Sequence, residues 1–168
     1  VESEKKVEKF WKDNQLFEKS IESRKNAPEY TFYDGPPTAN GKPHIGHVLT
    51  RVIKDMIPRY QTMKGYQIPR KAGWDTHGLP TELKARAKAG VGNSTTIDDV
   101  ELREICRDFA NGYIDDQRNQ FKRLGGLGEW YNPYITLLPE FEATQIRIFA
   151  EMASKGYIYR GLKPVYWC

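Results

Sequence analysis

The sequence has few of the features that mark secreted or membrane proteins. It contains only two cysteines, Cys106 and Cys168, too few for a disulfide framework, so we expect a reducing compartment such as the cytoplasm. No apolar run approaches the length of a membrane span, and the first residues lack the apolar core of a signal peptide. Repeats and low-complexity segments are also absent. We therefore expect neither a repeat protein nor a membrane partner.

The composition is that of an ordinary globular domain. The 168 residues are 39% hydrophobic and 29% charged, which suffices for one domain with a core. The net charge of +4 suits a polyanionic partner, although charges of both signs are mixed along the chain. The sequence stops on the apolar, β-prone run 164–168, so we expect it to be a piece of a longer protein.

The spacing of apolar residues predicts strands that alternate with helices, and hence an α/β fold with a parallel sheet. Pro58 is expected to kink or end the predicted helix at 46–63. On the last helix an apolar face is predicted to point inward, comprising Phe141, Ile148, Phe149 and Met152. The predicted helices cover 3–14, 46–63, 82–89, 102–121 and 139–155. The predicted strands cover 30–33, 66–69, 157–159 and 165–167, with loops over 35–43, 72–80 and 124–133.

The most informative segment is 35–47, with the sequence GPPTANGKPHIGH. It follows a β-prone stretch and leads into a helical pattern, an order that places free backbone N–H groups against a phosphate. His44 and His47 lie one turn apart at the helix start, where the helix dipole disfavours an imidazolium ion. We therefore predict two neutral N–H donors that could stabilise charge on a nucleotide's phosphates.

A second segment, 73–80 with the sequence GWDTHGLP, follows a predicted strand. Because ligands of parallel sheets bind beyond the carboxyl ends of the strands, this segment and the histidine segment are expected to line one crevice. Asp75 could accept hydrogen bonds from an ammonium group, and Trp74 would form an apolar wall beside it. His77 could contact the ligand or hold the loop.

Simpler interpretations remain open at this point. The histidines could cap a loop, or they could bind zinc together with His77 and Cys106, which requires three separate segments to converge. Asp75 alone is typical of a turn or cap. The Lys and Arg residues of 46–88 are expected to form mostly a solvated face, of which only a part would touch RNA.

Together these segments resemble the class I aminoacyl-tRNA synthetases. HIGH at 44–47 is similar to their signature histidine motif, and 34–47 as a whole resembles the large aliphatic branch. GWDTHGLP and the run RGLKPVYW at 160–167 resemble the isoleucine-specific members, the latter just before their editing insertion. The resemblance implies a Rossmann-like nucleotide-binding sheet with flanking helices, of which 1–168 would be the N-terminal half of the catalytic domain.

The resemblance also implies a reaction and a site. The family uses ATP, with Mg²⁺, to convert an amino acid, here isoleucine, into an aminoacyl-adenylate and then transfers the acyl group to tRNA, a ligase reaction of protein synthesis. His44 and His47 would be catalytic and contact the ATP phosphates. The ATP site would also include Thr38, Asn40, Gly41 and Gly46. Asp75 would hold the ammonium group of the amino acid. The amino-acid pocket would be bordered by Gly35, Pro36, Pro37, Trp74 and His77.

The sequence departs from this family by what is missing. The second signature, Lys-Met-Ser-Lys-Ser, is absent, and the run MASK at 152–155 lies in a predicted amphipathic helix. We therefore expect low activity from this chain alone and self-association through an uncovered face. No resident metal is expected, although a longer protein could bind zinc. Two other functions stay open: a different adenylyltransferase with a His-x-Gly-His turn, and a non-catalytic tRNA-binding module.

Overall fold

The chain folds into two parallel strands surrounded by helices. A computed structural model describes residues 1–92 and 97–167. Within that part of the chain, no helix is both long enough and apolar enough to span a membrane. The elements in chain order are α1 (Glu2–Asp13), α2 (Leu16–Glu22), α3 (Ile45–Met63), β1 (Lys71–Trp74), α4 (Leu79–Ala89), α5 (Asp99–Arg123), β2 (Glu129–Ile135) and α6 (Pro139–Ser154).

The strands β1 and β2 form a parallel pair. Lys71 lies opposite Glu129 and Trp74 opposite Ile135, with an irregularity of register between Lys71 and Gly73. Parallel neighbours need a long crossover connection, which α4 and α5 supply. This arrangement confirms the predicted α/β fold with a parallel sheet and flanking helices.

The predicted strand positions, however, are wrong. β1 occupies the beginning of the predicted loop 72–80, and β2 occupies much of the predicted loop 124–133. The glycines and prolines of these segments favoured a loop from sequence. The two segments form strands because they lie beside each other and exchange backbone hydrogen bonds. Local propensity carries no information about such a distant partner.

The aromatic stretches that were predicted as strands are extended but form almost no strand-to-strand pairing. Of the segments 30–33 and 66–69, only Gln67 takes part in a bridge, an isolated parallel bridge with Glu29. Residues 157–159 and 165–167 are not part of a strand in the described residues. A β-prone sequence forms a strand only when a neighbouring segment supplies the hydrogen bonds.

The helix predictions are largely confirmed, with α2 as an additional element. α3 does not end at Pro58 but continues to Met63, so the proline costs only the hydrogen bond of its missing N–H and the local fit of its ring. Lys64 and Gly65, the latter with a φ of +100°, close the helix.

The core lies between α5 and the sheet. Its centre is the cluster of Ala39, Trp74, Ala110 and Ile114, onto which Trp130 packs. α5 supplies buried residues at spacings of one, four, three and four, the pattern of a single helix face. The loop that holds Ala39 is therefore anchored directly on the core.

The prediction of an inward apolar face on α6 is wrong for most of its residues. Phe141 is half-buried against Tyr134, with ring centroids 5.0 Å apart. Ile148, Phe149 and Met152 are exposed by 54%, 61% and 43%. The amphipathic pattern is present, but among the described residues no element covers that face.

Candidate functional site

The first turn of α3 is closed by a reciprocal pair of hydrogen bonds that involves two histidines. His44 is the N-cap residue, and its Nδ1 accepts a hydrogen bond from the backbone N–H of Gly46 at 3.1 Å. Nδ1 of His47 in turn accepts from the backbone N–H of His44 at 3.3 Å. The ring centroids are 4.0 Å apart. Imidazoles thus satisfy two backbone donors that a helix start leaves open.

This geometry determines where the protons of the two rings lie. A nitrogen that accepts a hydrogen bond carries no proton, so each neutral ring has its proton on Nε2. Neither Nε2 makes a hydrogen bond within residues 1–92 and 97–167. The helix end therefore presents two N–H donors that are available to a ligand.

Charge and burial keep His47 neutral. Burial lowers the pKa of His47, and electrostatic repulsion from the side chains of His44, Arg51 and Lys54 lowers that pKa further. The unfolded chain consequently takes up a proton on this ring more readily than the folded chain does. The contribution of His47 to the free energy of unfolding is therefore fully present above the ordinary pKa of histidine, and it is lost as the pH falls below that pKa.

Gly46 is required by this cap. A Cβ atom at this position would lie 2.9 Å from Cε1 and 3.1 Å from Nδ1 of His44. Any other residue would push the ring away from the backbone N–H that it caps. The glycine therefore has a structural reason besides the close approach of a nucleotide that the resemblance implies.

The loop before α3 is seated on the end of β1 by a parallel bridge between Thr38 and Asp75. Backbone bonds run from Ala39 N–H to the Asp75 oxygen at 2.8 Å and from Asp75 N–H to the Pro37 oxygen at 2.9 Å. The Asp75 carboxylate accepts from the Thr38 hydroxyl and from the backbone N–H of His77, each at 3.4 Å. Since a carboxylate offers about four lone-pair positions, it retains capacity for a ligand. The two predicted loops are thus in direct contact.

The sequence analysis missed Gln117, which hydrogen-bonds both to the loop before α3 and to β1. Its side-chain amide on α5 donates to the carbonyl oxygens of Thr38 at 3.0 Å and Gly41 at 2.8 Å. Its side-chain oxygen accepts from the indole N–H of Trp74 at 3.1 Å. The available signal was a glutamine on the otherwise apolar face of a helix.

Trp74 does not form the wall of an open pocket as predicted. It is 1% exposed and belongs to the core, and the guanidinium carbon of Arg118 lies 5.5 Å from its ring centroid. Successive side chains of a strand point to opposite faces, so when Trp74 points inward the next residue, Asp75, points away from the core. Trp74 therefore supports the site rather than lining it.

The other residues expected near the amino acid differ in accessibility. Gly35 is exposed and has open space where a side chain would be, Pro36 is half-buried and Pro37 is buried. His77 is exposed, and its Nε2 lies 3.1 Å from a carboxylate oxygen of Glu142 on α6. This last pair ties the segment after β1 to α6.

Cationic side chains that were predicted to be solvated have defined partners near the loop. Arg51 forms an ion pair with Asp34 at 2.6 Å, and Lys54 pairs with the same carboxylate. The ammonium of Lys84 lies 3.5 Å from the side-chain oxygen of Asn40. The loop is thus contacted by Lys54 of α3, through the carbonyl oxygen of Gly35, and by Lys84 of α4.

The zinc alternative finds no support in the described residues. No group of three or more His, Cys, Asp or Glu side chains converges within residues 1–92 and 97–167. Burial and the nearby charge of Glu82 raise the pKa of the Cys106 thiol, which disfavours the thiolate that zinc requires.

A cleft of about 1050 Å³ lies beside α3, away from the histidines and Asp75. Its lining includes Trp11, Pro36, Met56 and Tyr134. On this side α3 exposes a largely apolar stripe, comprising Leu49, Val52, Ile53, Met56, Tyr60 and Met63, each exposed by 47% or more.

A comparison with known protein families gives a match over nearly the whole sequence. Residues 6–168 match the family described as tRNA synthetases class I (I, L, M and V). Because this match covers nearly the whole sequence, the chain belongs to the class I tRNA synthetases.

Within this class, the similar curated proteins are isoleucine–tRNA ligases. That of Caldicellulosiruptor bescii is 56% identical over 160 residues, which are 95% of this chain and 17% of the relative. That of Moorella thermoacetica is 52% identical over 165 residues, which are 98% of this chain and 18% of the relative. The chain thus spans less than a fifth of the length of these relatives.

A solved structure shares the fold. The leucyl-tRNA synthetase agnB2 of Agrobacterium radiobacter K84, determined in a ternary complex with tRNA and LeuAMS, superimposes with a TM-score of 0.72. The two proteins are 26% identical, and the alignment covers 93% of this chain and 18% of the other.

Proposed function

We propose that residues 1–168 form the N-terminal half of the catalytic domain of an isoleucine–tRNA ligase. In this proposal the chain supplies the wall of the site that binds ATP and the ammonium group of isoleucine during cytoplasmic protein synthesis. The start of α3 carries the argument. There, two capping histidines keep Nε2–H donors available beside a loop that is hydrogen-bonded to Asp75.

The proposed chemistry follows from these contacts. A carboxylate oxygen of isoleucine attacks the α-phosphorus of ATP, the bond from that phosphorus to the bridging oxygen breaks, and pyrophosphate leaves. Negative charge develops on the phosphate oxygens, and the donors of His44 and His47, with the N-terminus of α3, would stabilise it. Thr38, Asn40 and Gly41 are proposed to lie along the nucleotide. Asp75 would hold the ammonium group.

Mg²⁺ would enter with the nucleotide. The described residues contain no cluster of carboxylate or histidine ligands that could hold a resident cation. This fits Mg²⁺, which prefers substrate phosphates and a few water molecules over an all-protein cage. Bound there, the metal would neutralise part of the phosphate charge.

We expect this chain to catalyse isoleucine-dependent ATP–pyrophosphate exchange only in the presence of Mg²⁺. The rate should be far below that of the full-length Caldicellulosiruptor bescii relative, measured in parallel, because the chain lacks a lysine signature. Valine should also react, since an apolar pocket discriminates weakly against one missing methylene, a limit for which isoleucyl-tRNA synthetases are themselves the reference case.

Other outcomes of this assay would replace the proposal. Exchange that depends on a different acid, and not on isoleucine, would indicate another adenylyltransferase. Binding of tRNA with a steep salt dependence, without any binding of ATP, would indicate a non-catalytic module. Exchange at the full rate of the relative would show that the chemistry needs no second half of the site.

We further expect the isolated chain to self-associate through the exposed stripe of α3. An apolar surface of this extent is unusual in a monomer, and Met56 at its centre is 60% exposed. Sedimentation velocity should therefore show oligomers, and Met56→Lys should shift them toward the monomer. Ile146→Lys on α6, 70% exposed, is the matched control and should leave the distribution unchanged. The reverse pattern would assign the contact to α6.

A further inference from the structure

Gln117 is the only described side chain that hydrogen-bonds both to the loop before α3 and to Trp74 of β1. The residue is 1% exposed, so its bonds are shielded from water. Both hydrogens of its amide can be used, one for each loop carbonyl, and its oxygen accepts the indole N–H. A buried amide of this kind stabilises one arrangement of its partners and penalises every other arrangement.

These bonds complete a closed circuit. Gln117 connects the carbonyls of Thr38 and Gly41 to Trp74, Trp74 is bonded covalently to Asp75, and Asp75 returns to the loop through the parallel bridge at Thr38. A displacement of the loop must therefore move the amide of Gln117 or break its bonds. In the first case, the displacement reaches the indole of Trp74 and the end of the strand.

Simple space-filling does not explain a glutamine at this position. The neighbours on the same face of α5 are Ile114 and Phe121, which are 3% and 1% exposed. An aliphatic residue would continue that face without the cost of burying an amide. It would, however, leave two loop carbonyls and an indole N–H without their observed partner, at a cost that is larger than the gain of the apolar contact.

We propose that Gln117 is a positioning residue that couples the nucleotide loop to the strand end carrying Asp75, with the indole of Trp74 as the relay. This inference rests on the proposed function, because it assumes that ATP binds at the loop. Binding at one wall would then adjust the other wall, so that both substrates are aligned by the same buried amide.

The test uses the whole chain, Mg²⁺-ATP and the indole N–H signals in ¹H–¹⁵N correlation spectra. Trp74→Phe assigns the Trp74 signal. ATP should shift the backbone amides of Thr38 to Gly41 and also the indole signal of Trp74, although this side chain is buried from any ligand. The indole of Trp11 on α1, which does not belong to the core cluster around Trp74, is the internal control and should not follow.

Two substitutions separate the bonds of the amide. Gln117→Glu keeps an acceptor for the indole N–H but replaces the donors to the loop, so the ATP-dependent shift of Trp74 should be lost while its resting signal stays in place. Gln117→Leu should also move the resting signal, because the indole loses its acceptor. Gln120→Leu removes a glutamine one turn away that bonds only to Asp116 in the described residues, and it should retain the full response.

Each outcome decides the matter. A silent Trp74 indole in the wild-type chain, with shifted loop amides, would overturn the coupling and leave the ATP site intact. Loop amides that do not respond to ATP would overturn the proposed function, and this inference with it. A Gln117→Glu chain that retains the shift would also overturn the coupling. If neither Gln117 variant folds, the wild-type comparison of Trp74 with Trp11 still decides.

Discussion

Alanine in place of His47 is expected to slow adenylate formation by a factor of about 10²–10³, the effect of removing one positioned donor from a developing oxyanion. The affinity for ATP should change far less, because the bond strengthens as charge builds up on the phosphate. Single-turnover measurements in a protein of the relatives' full length that contains this sequence would separate the two effects. A loss confined to ATP affinity would contradict a role in the transition state.

Alanine also removes the cap on the backbone N–H of His44, so two further variants distinguish donation from capping. His47→Gln places an amide N–H near the position of Nε2, whereas His47→Asn places an acceptor near Nδ1. If the available Nε2–H matters, His47→Gln should be the faster enzyme. If the cap alone matters, His47→Asn should be faster and its thermal stability should lie closer to that of the wild type.

Replacing Asp75 by asparagine is expected to raise the KM for isoleucine about ten- to hundred-fold, since a hydrogen bond to a charged group contributes about 1.5–3 kcal/mol. The KM for ATP should remain nearly unchanged. Asparagine retains an oxygen that can accept from the Thr38 hydroxyl, so the loop should stay seated on the strand. Steady-state exchange kinetics with each substrate varied in turn give both constants.

The control for this prediction is Asp98→Asn. This aspartate caps α5 by accepting from the backbone N–H groups of Val100 and Glu101, and asparagine caps a helix equally well. The 2-hydroxy analogue of isoleucine adds a test from the ligand side, because it lacks the ammonium group. The wild type should discriminate strongly against this analogue and Asp75→Asn much less. Equal discrimination by both proteins would remove Asp75 from the amino-acid site.

The sequence predicted the parts of this molecule that depend on local information. Long periodic helices such as α3 and α5 could be located because their apolar spacing and their end signals lie within a few residues of one another. The short strands could not, because a strand is defined by a partner far along the chain. The residues next to Gly73 and Trp74 in the sequence predict a loop. The two residues nevertheless form a strand, because β2 pairs with them.

The candidate site shows the same division. The positions of His44 and His47 at a helix start followed from the motif, but the capping bonds that set their tautomers depend on ring orientation. Trp74 was expected to form an apolar wall beside Asp75, and Gln117 was not considered. Each belongs to the other's environment, and the two residues are separated by 43 positions. Contacts of this kind leave no trace in a local pattern.

The bonds of Gln117 also have a consequence for the order in which the site forms during synthesis. Its partners Thr38 and Gly41 precede it by 79 and 76 residues. At a synthesis rate of about 5–20 residues per second, the loop leaves the ribosome on the order of 4–15 s before the side chain that holds it. During that interval the carbonyl of Thr38 has only the backbone N–H of Asn40 as its partner from the loop, and both carbonyls lack the amide of Gln117. The nucleotide loop is therefore made well before the side chain that completes its hydrogen bonds.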